Sequence, residues 1–107
     1  MANDDPAFLP ERWRLAYQEY AKAEHAADMA EEWLKVVEAE CFEREEGPQE
    51  QRKMAARSSN EYRRAVADKV SKKTAMRMQW AEVKAIELQI EVFRTLESSR
   101  RAEMGMR

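Results

Sequence analysis

From Trp13 onward, apolar and small residues recur at alternating steps of three and four: Trp13, Ala16, Tyr20, Ala23, Ala27, Ala30, Leu34, Val37 and Cys41. A seam kept for four heptads predicts one long helix, running from about residue 10 to 46. Pro10 suits the first turn, where a missing N–H leaves no bond unmade. The middle of the seam is alanine, which lets a neighbouring helix come close but buries little area. Tyr17, Met29, Trp33 and Val36 lie beside it, so the face is wider than a two-stranded coil needs and implies more than one packing neighbour. Glu31 with Lys35 and Glu40 with Arg44 are acid-before-base pairs four apart, each adding about 0.2–0.5 kcal/mol. Gly47 then serves as a left-handed stop and Pro48 blocks continuation.

Helix-forming residues resume at once, with Pro48 in a first turn, and predict a second helix from about 49 to 104. Ser58, Ser59 and Asn60 are its weak point. They either cap a fresh helix, with Asn60 as N-cap, or ride on the outside of a continuous one. The common stripe of Met54, Tyr62, Val66 and Val70 favours continuity. Farther on, Met76, Trp80, Val83, Ile86, Ile90 and Phe93 form one row, and Met78, Ala81, Ala85, Leu88, Val92 and Leu96 a second beside it. Glu82, Glu87, Glu91, Arg94 and Glu97 lie opposite. More than half the circumference is apolar, which one neighbour does not satisfy.

The expected fold is therefore all-α: a long, coiled-coil-like antiparallel helical hairpin in a single domain. A hairpin alone leaves large apolar side chains in water, and exposed patches beyond a few hundred Å² mark interfaces. Trp80, Val83, Leu88, Ile90, Val92 and Phe93 are accordingly the expected self-association residues of a homodimer, a four-helix assembly with an interface near the standard size of roughly 1,600 Å². The alternative is a third helix, formed by a break at 58–60, folding back over the same surface.

Charge changes this picture more than composition does. The net charge of −2 hides two blocks. Residues 24–46 hold nine acids against Lys35 and Arg44. Residues 52–77 hold nine bases, Arg52, Lys53, Arg57, Arg63, Arg64, Lys69, Lys72, Lys73 and Arg77, against Glu61 and Asp68. Reversal at Gly47-Pro48 lays one block against the other. Exposed pairs contribute only ~0–1 kcal/mol each, so the match selects orientation and partner rather than stability. The bases, with Tyr62 among them and Trp80 beyond, would form a phosphate-binding stripe if they shared one face. Arg57, Arg64 and Lys72 instead point several ways around the helix, and the sequence pI near 5.6 opposes the idea. A solvated or internally paired set is the expectation, with contact to nucleic acid or an acidic partner as the alternative. Arg94, Arg100, Arg101 and Arg107 add a smaller basic cluster of the same ambiguous kind.

Only two glycines and three prolines occur in 107 residues. That count argues against loop-rich and all-β folds and excludes a glycine-rich phosphate loop. No apolar run is long enough to span a membrane. No basic-then-apolar leading segment suggests secretion, and a single cysteine fits a reducing, cytoplasmic setting. Cys41 and His25, the only histidine, are roughly 24 Å apart along one helix at 1.5 Å per residue. They share neither a metal nor a nucleophile–base role within one hairpin. No Glu has His three residues later, as a di-metal bundle requires, and no Ser-His-Asp set exists. The inventory points to no catalytic, cofactor or metal site, and to a protein that is not an enzyme. Trp13, Trp33 and Trp80 fall on the helical stripes and need no ligand.

The stretch Phe8-Leu9-Pro10-Glu11-Arg12-Trp13-Arg14-Leu15-Ala16-Tyr17, the run Ala21-Lys22-Ala23-Glu24-His25-Ala26-Ala27 and the close from Phe93 to Met104 resemble small α-helical proteins encoded by phages and prophages of α-proteobacteria. The resemblance covers most of the chain in layout and rests on periodic helical residues. It implies a short phage protein from gene neighbourhoods concerned with DNA replication or recombination, and it carries no catalytic motif. A small phage-derived adaptor or modulator that binds a host or phage protein is the expected function. A nucleic-acid-binding accessory using residues 52–77 is the alternative.

Overall fold

The computed structural model describes residues 5–105, and among these every regular element is helical. The chain enters through a short 3-10 turn, Pro6–Phe8. The Asp5 carboxylate accepts a 2.9 Å bond from the Ala7 N–H and caps this turn. Helix α1 follows directly over Leu9–Arg44, then α2 over Gln49–Ser58 and α3 over Asn60–Gly105.

Helix α1 begins at the expected place but ends two residues early. Glu45 and Glu46 would add negative charge to the negative end of the helix dipole, and both lie outside it. Gly47 then takes φ +109°, a conformation that L side chains rarely adopt. Pro48 is extended and occupies the N-cap of α2 rather than its first turn.

The continuous second helix expected from the stripe 54–70 is not what forms. Ser59 is extended (ψ 151°) and separates α2 from α3. Its hydroxyl donates to the Ala56 carbonyl at 2.7 Å and accepts from the Tyr62 N–H at 3.2 Å. One side chain thus closes the last turn of α2 and caps the first turn of α3, the capping role that the alternative of a fresh helix gave to Asn60. The stripe gave a false lead because Met54 and Val70 face water. Ala56 and Ala65 are what is buried on either side of the break.

The chain divides into two compact units, and α1 and α3 each contribute to both. The first comprises residues 1–20 and 78–107, and the second comprises 21–77. The first has a core of Leu9, Ala16, Val83 and Ile86, with Trp13, Tyr20 and Ile90 packed against it. A run of aromatic rings crosses it, from Trp13 to Tyr17 (5.3 Å between centroids), Tyr17 to Tyr20 (5.9 Å) and Tyr20 to Trp80 (4.9 Å). The second unit packs Val37, Cys41, Ala56 and Ala65 with Leu34 and Phe42. Ala27 and Ala30 are buried in the same unit. Partners' numbers fall along α3 as they rise along α1, separately in each unit. Arg12 meets Gln89, Trp13 meets Glu87 and Tyr20 meets Trp80 in the first. Glu31 meets Lys69 and Lys73, and Arg44 meets Glu61, in the second.

Candidate interaction surfaces

The expected self-association residues separate into two groups. Val83 is fully buried and so unavailable to a partner, and Ile90, half-buried, packs on the same core. This corrects their assignment: both project toward α1 of their own unit. Leu88 and Val92 are 60% and 51% exposed and by helical spacing lie outside the row of Val83, Ile86 and Ile90. Trp80 and Phe93, each 38% exposed, sit at the boundary. Trp80 is stacked on Tyr20 and carries the Lys84 ammonium 4.6 Å above its ring. Pro6, Leu9 and Arg12 join Leu88, Gln89, Val92, Phe93 and Leu96 in lining an open groove of about 390 Å³.

Side-chain hydrogen bonds cross this unit between α1 and α3. Trp13 Nε1 donates to Glu87 at 3.2 Å, and Arg12 donates to Gln89 at 3.4 Å. The Trp13 bond, helped by Lys84 Nζ 3.2 Å away, holds the Glu87 carboxyl below its ordinary range. Ionised, Glu87 is a better acceptor for the indole N–H.

The nine cations of residues 52–77 are not a stripe. Arg57 lies 3.6 Å from Glu38, and Lys69 and Lys73 lie 3.8 and 3.9 Å from the same oxygen of Glu31. Arg52 takes a role the sequence did not suggest. Its guanidinium stacks 4.2 Å from the Phe42 ring centroid and donates to the Phe42 carbonyl at 3.2 Å. It thereby binds a carbonyl of the last turn of α1, where a cation is favoured. Its Nε is buried without a hydrogen-bond partner among the described residues, leaving the Phe42 ring face as its compensation. Lys53, Arg63, Arg64, Lys72 and Arg77 are exposed, on different sides of their helices. A signal for the Arg52 latch was present in the sequence, since Phe42 and Arg52 flank the Gly-Pro reversal. Arg100 pairs at 3.7 Å with Glu97 on its own helix. Arg107 lies outside the described residues.

Arg44 and Glu61, both absent from the expected site, form the strongest polar tie of this unit, with Arg44 Nη1 3.1 Å from Glu61 Oε1. The guanidinium keeps Glu61 below the usual carboxylate range, and Glu61 raises Arg44. Cys41 is buried beside them, its sulfur 3.1 Å from Arg44 Nη2 and 3.4 Å from the Ser59 hydroxyl. His25 is exposed. Among the described residues no three His, Cys, Asp or Glu side chains converge to hold a metal ion. Among them too, no helix is long and apolar enough to cross a membrane. A second exposed apolar set lies on α1, where Met29, Trp33 and Val36 recur at helical spacing, 58%, 56% and 43% exposed.

An all-α protein with exposed apolar rows and mixed-sign ion pairs is the class these surfaces define. No family model, curated protein or solved structure matches the chain.

Proposed function

We propose that this chain is a non-enzymatic protein–protein interaction module, an antiparallel helical hairpin that self-associates and engages a protein partner in the cytoplasm. The carrying observation is the placement of large apolar side chains in water along helical rows: Leu88, Val92 and Leu96 on α3, and Met29, Trp33 and Val36 on α1. Contiguous rows of this kind mark contact surfaces rather than scattered surface residues. The falling partner numbers in each unit support the hairpin. A phage-encoded adaptor or modulator, as the sequence resemblance implies, fits a module with much surface and no converging catalytic groups. Light scattering from dilute to concentrated protein tests self-association. A mass of two chains at the upper end is expected, and a lone-chain mass throughout contradicts it.

A nucleic-acid accessory role is the second reading, and the exposed Arg63, Arg64, Lys72 and Arg77 favour it. Its test is a salt titration of binding to single- and double-stranded DNA. Micromolar binding that falls steeply with salt supports this role, and no binding at about 50 mM salt removes it.

A further inference from the structure

The self-association proposed above needs a surface, and α3 carries one that its own core does not use. On the side turned away from Val83 and Ile86, Met78, Ala81, Ala85, Leu88, Val92, Thr95 and Ser99 follow one another at alternating steps of three and four. Every one of them is exposed. None is charged, although charged residues fill much of the helix between them. A water-facing helix has no intrinsic reason to keep charge off one line for six turns, whereas a coiled-coil seam does.

We infer that this line is the seat of a second copy of the chain, packed antiparallel about a two-fold axis between Ile86 and Glu87. The inference rests on the self-associating reading and specifies its surface, direction and register. Two independent features select that arrangement. In it, Ala85 faces the partner's Leu88, Ala81 faces the partner's Val92, and Thr95 faces the partner's Met78. Each layer then joins one large and one smaller side chain, so the separation between helices stays even. A parallel pair would set Ala81 and Ala85 against themselves and Leu88 and Val92 against themselves, giving adjacent narrow and wide layers.

The flanking charges select the same register. With the axis between Ile86 and Glu87, Lys84 lies beside the partner's Glu91, and two-fold symmetry repeats the pair. On the other flank Glu82 lies beside the partner's Gln89, an acceptor beside an amide donor. Sliding one copy past the other by a heptad in one direction puts Lys84 against the partner's Lys84. Sliding in the other puts Glu91 against the partner's Glu91. In the parallel arrangement Lys84 meets the partner's Gln89 and Glu91 meets the partner's Leu96, and the one flanking ion pair is Arg77 with the partner's Glu82 at the edge of the seam. Charges at such flanks fix direction and register more than affinity. An isologous contact of this kind closes on itself and stops at two copies. It places the two α3 segments at the centre with their α1 segments outside, a layer rather than the closed four-helix assembly expected from the sequence.

The test uses the full chain carrying Cys41→Ser, with Ala81→Cys in one preparation and Val92→Cys in another, each checked for unchanged helicity by circular dichroism. The two are oxidised separately and after mixing and equilibration, and read by non-reducing gel and by light scattering. Disulfide formation needs Cα atoms within about 7 Å. The inference expects cross-linked dimer in the mixture and its loss in either variant alone, where the cysteines of the two copies stand roughly 16 Å apart along the axis at 1.5 Å per residue. Cross-linking of Ala81→Cys with itself overturns the antiparallel direction while leaving self-association standing. A two-chain mass with no cross-link in any sample overturns this surface alone. A lone-chain mass at every concentration overturns the inference and the self-associating reading together.

Discussion

The two units hold the same pair of helices together by different means. In residues 1–20 and 78–107 the contact is made of large side chains: Leu9, Trp13, Tyr20, Val83, Ile86 and Ile90. In residues 21–77 the buried side chains are mostly small, Ala27, Ala30, Ala56 and Ala65 with Val37 and Cys41, and the large Leu34 and Phe42 pack against them half-buried. Small contacts bury less apolar area, at about 25 cal/mol per Å², but they bring backbones close. Flanking charges then come within reach, as Glu31 with Lys69 and Lys73, Glu38 with Arg57 and Arg44 with Glu61 show. The acidic and basic blocks of the sequence fall entirely within this second unit. Apolar area thus supplies cohesion in one unit, and charge selects the pairing in the other.

The largest way to disturb this contrast is in the apolar unit. Ile86→Ala removes a side chain only 3% exposed, and urea denaturation is expected to show a loss of about 2–5 kcal/mol. The counterpart in the second unit is an enlargement. Ala56 is fully buried, so Ala56→Leu forces the helices apart at an expected cost of about 1–3 kcal/mol. If Ala56→Leu is neutral, close approach is not what organises that unit.

Single ion-pair changes come next. Glu31→Gln removes the shared partner of Lys69 and Lys73, groups 28–41% exposed, and is expected to cost less than about 1 kcal/mol. That cost should vanish near 1 M salt, where the Debye length is about 3 Å. The smallest effect is at acid pH, where water screens both Glu61 and Glu87. Each carboxyl is held below its ordinary value, so its contribution is complete above about 4.3. It is lost as pH falls through the lowered value in the folded protein. Glu61 owes its shift first to the Arg44 cation, whereas Glu87 owes it first to the neutral Trp13 N–H. Melting temperatures between pH 5 and 3 should therefore show salt reducing the acid sensitivity of a Glu87→Gln variant, which retains Glu61. Salt should leave that of a Glu61→Gln variant nearly unchanged.

Much of this was legible in the sequence. All nine seam positions from Trp13 to Cys41 are buried or half-buried on α1, because an unbroken three-four spacing has one helical reading. The positive φ of Gly47 was equally plain. The break at Ser59 was not, because Met54 and Val70 drew the stripe along a face that is exposed, while Ala56 and Ala65 carry the packing. The two apolar rows of α3 were visible, but their division between an inner and an outer side was not. Periodicity alone does not say which of two adjacent rows meets α1, so Val83 and Ile90 were grouped with Leu88 and Val92. The pairing of opposite blocks was legible in outline, whereas the Arg52 stack on Phe42 was marked only by the place of both residues beside the Gly-Pro reversal, among cations of equal formal charge.

Residue-resolved hydrogen exchange at neutral pH, compared at about 0.05 M and 1 M salt, tests the division of labour most directly. The expected result is faster exchange at high salt for buried amides of residues 27–41 and 61–73, with those of residues 83–90 unchanged. Equal acceleration in both sets, or acceleration confined to residues 83–90, would contradict it.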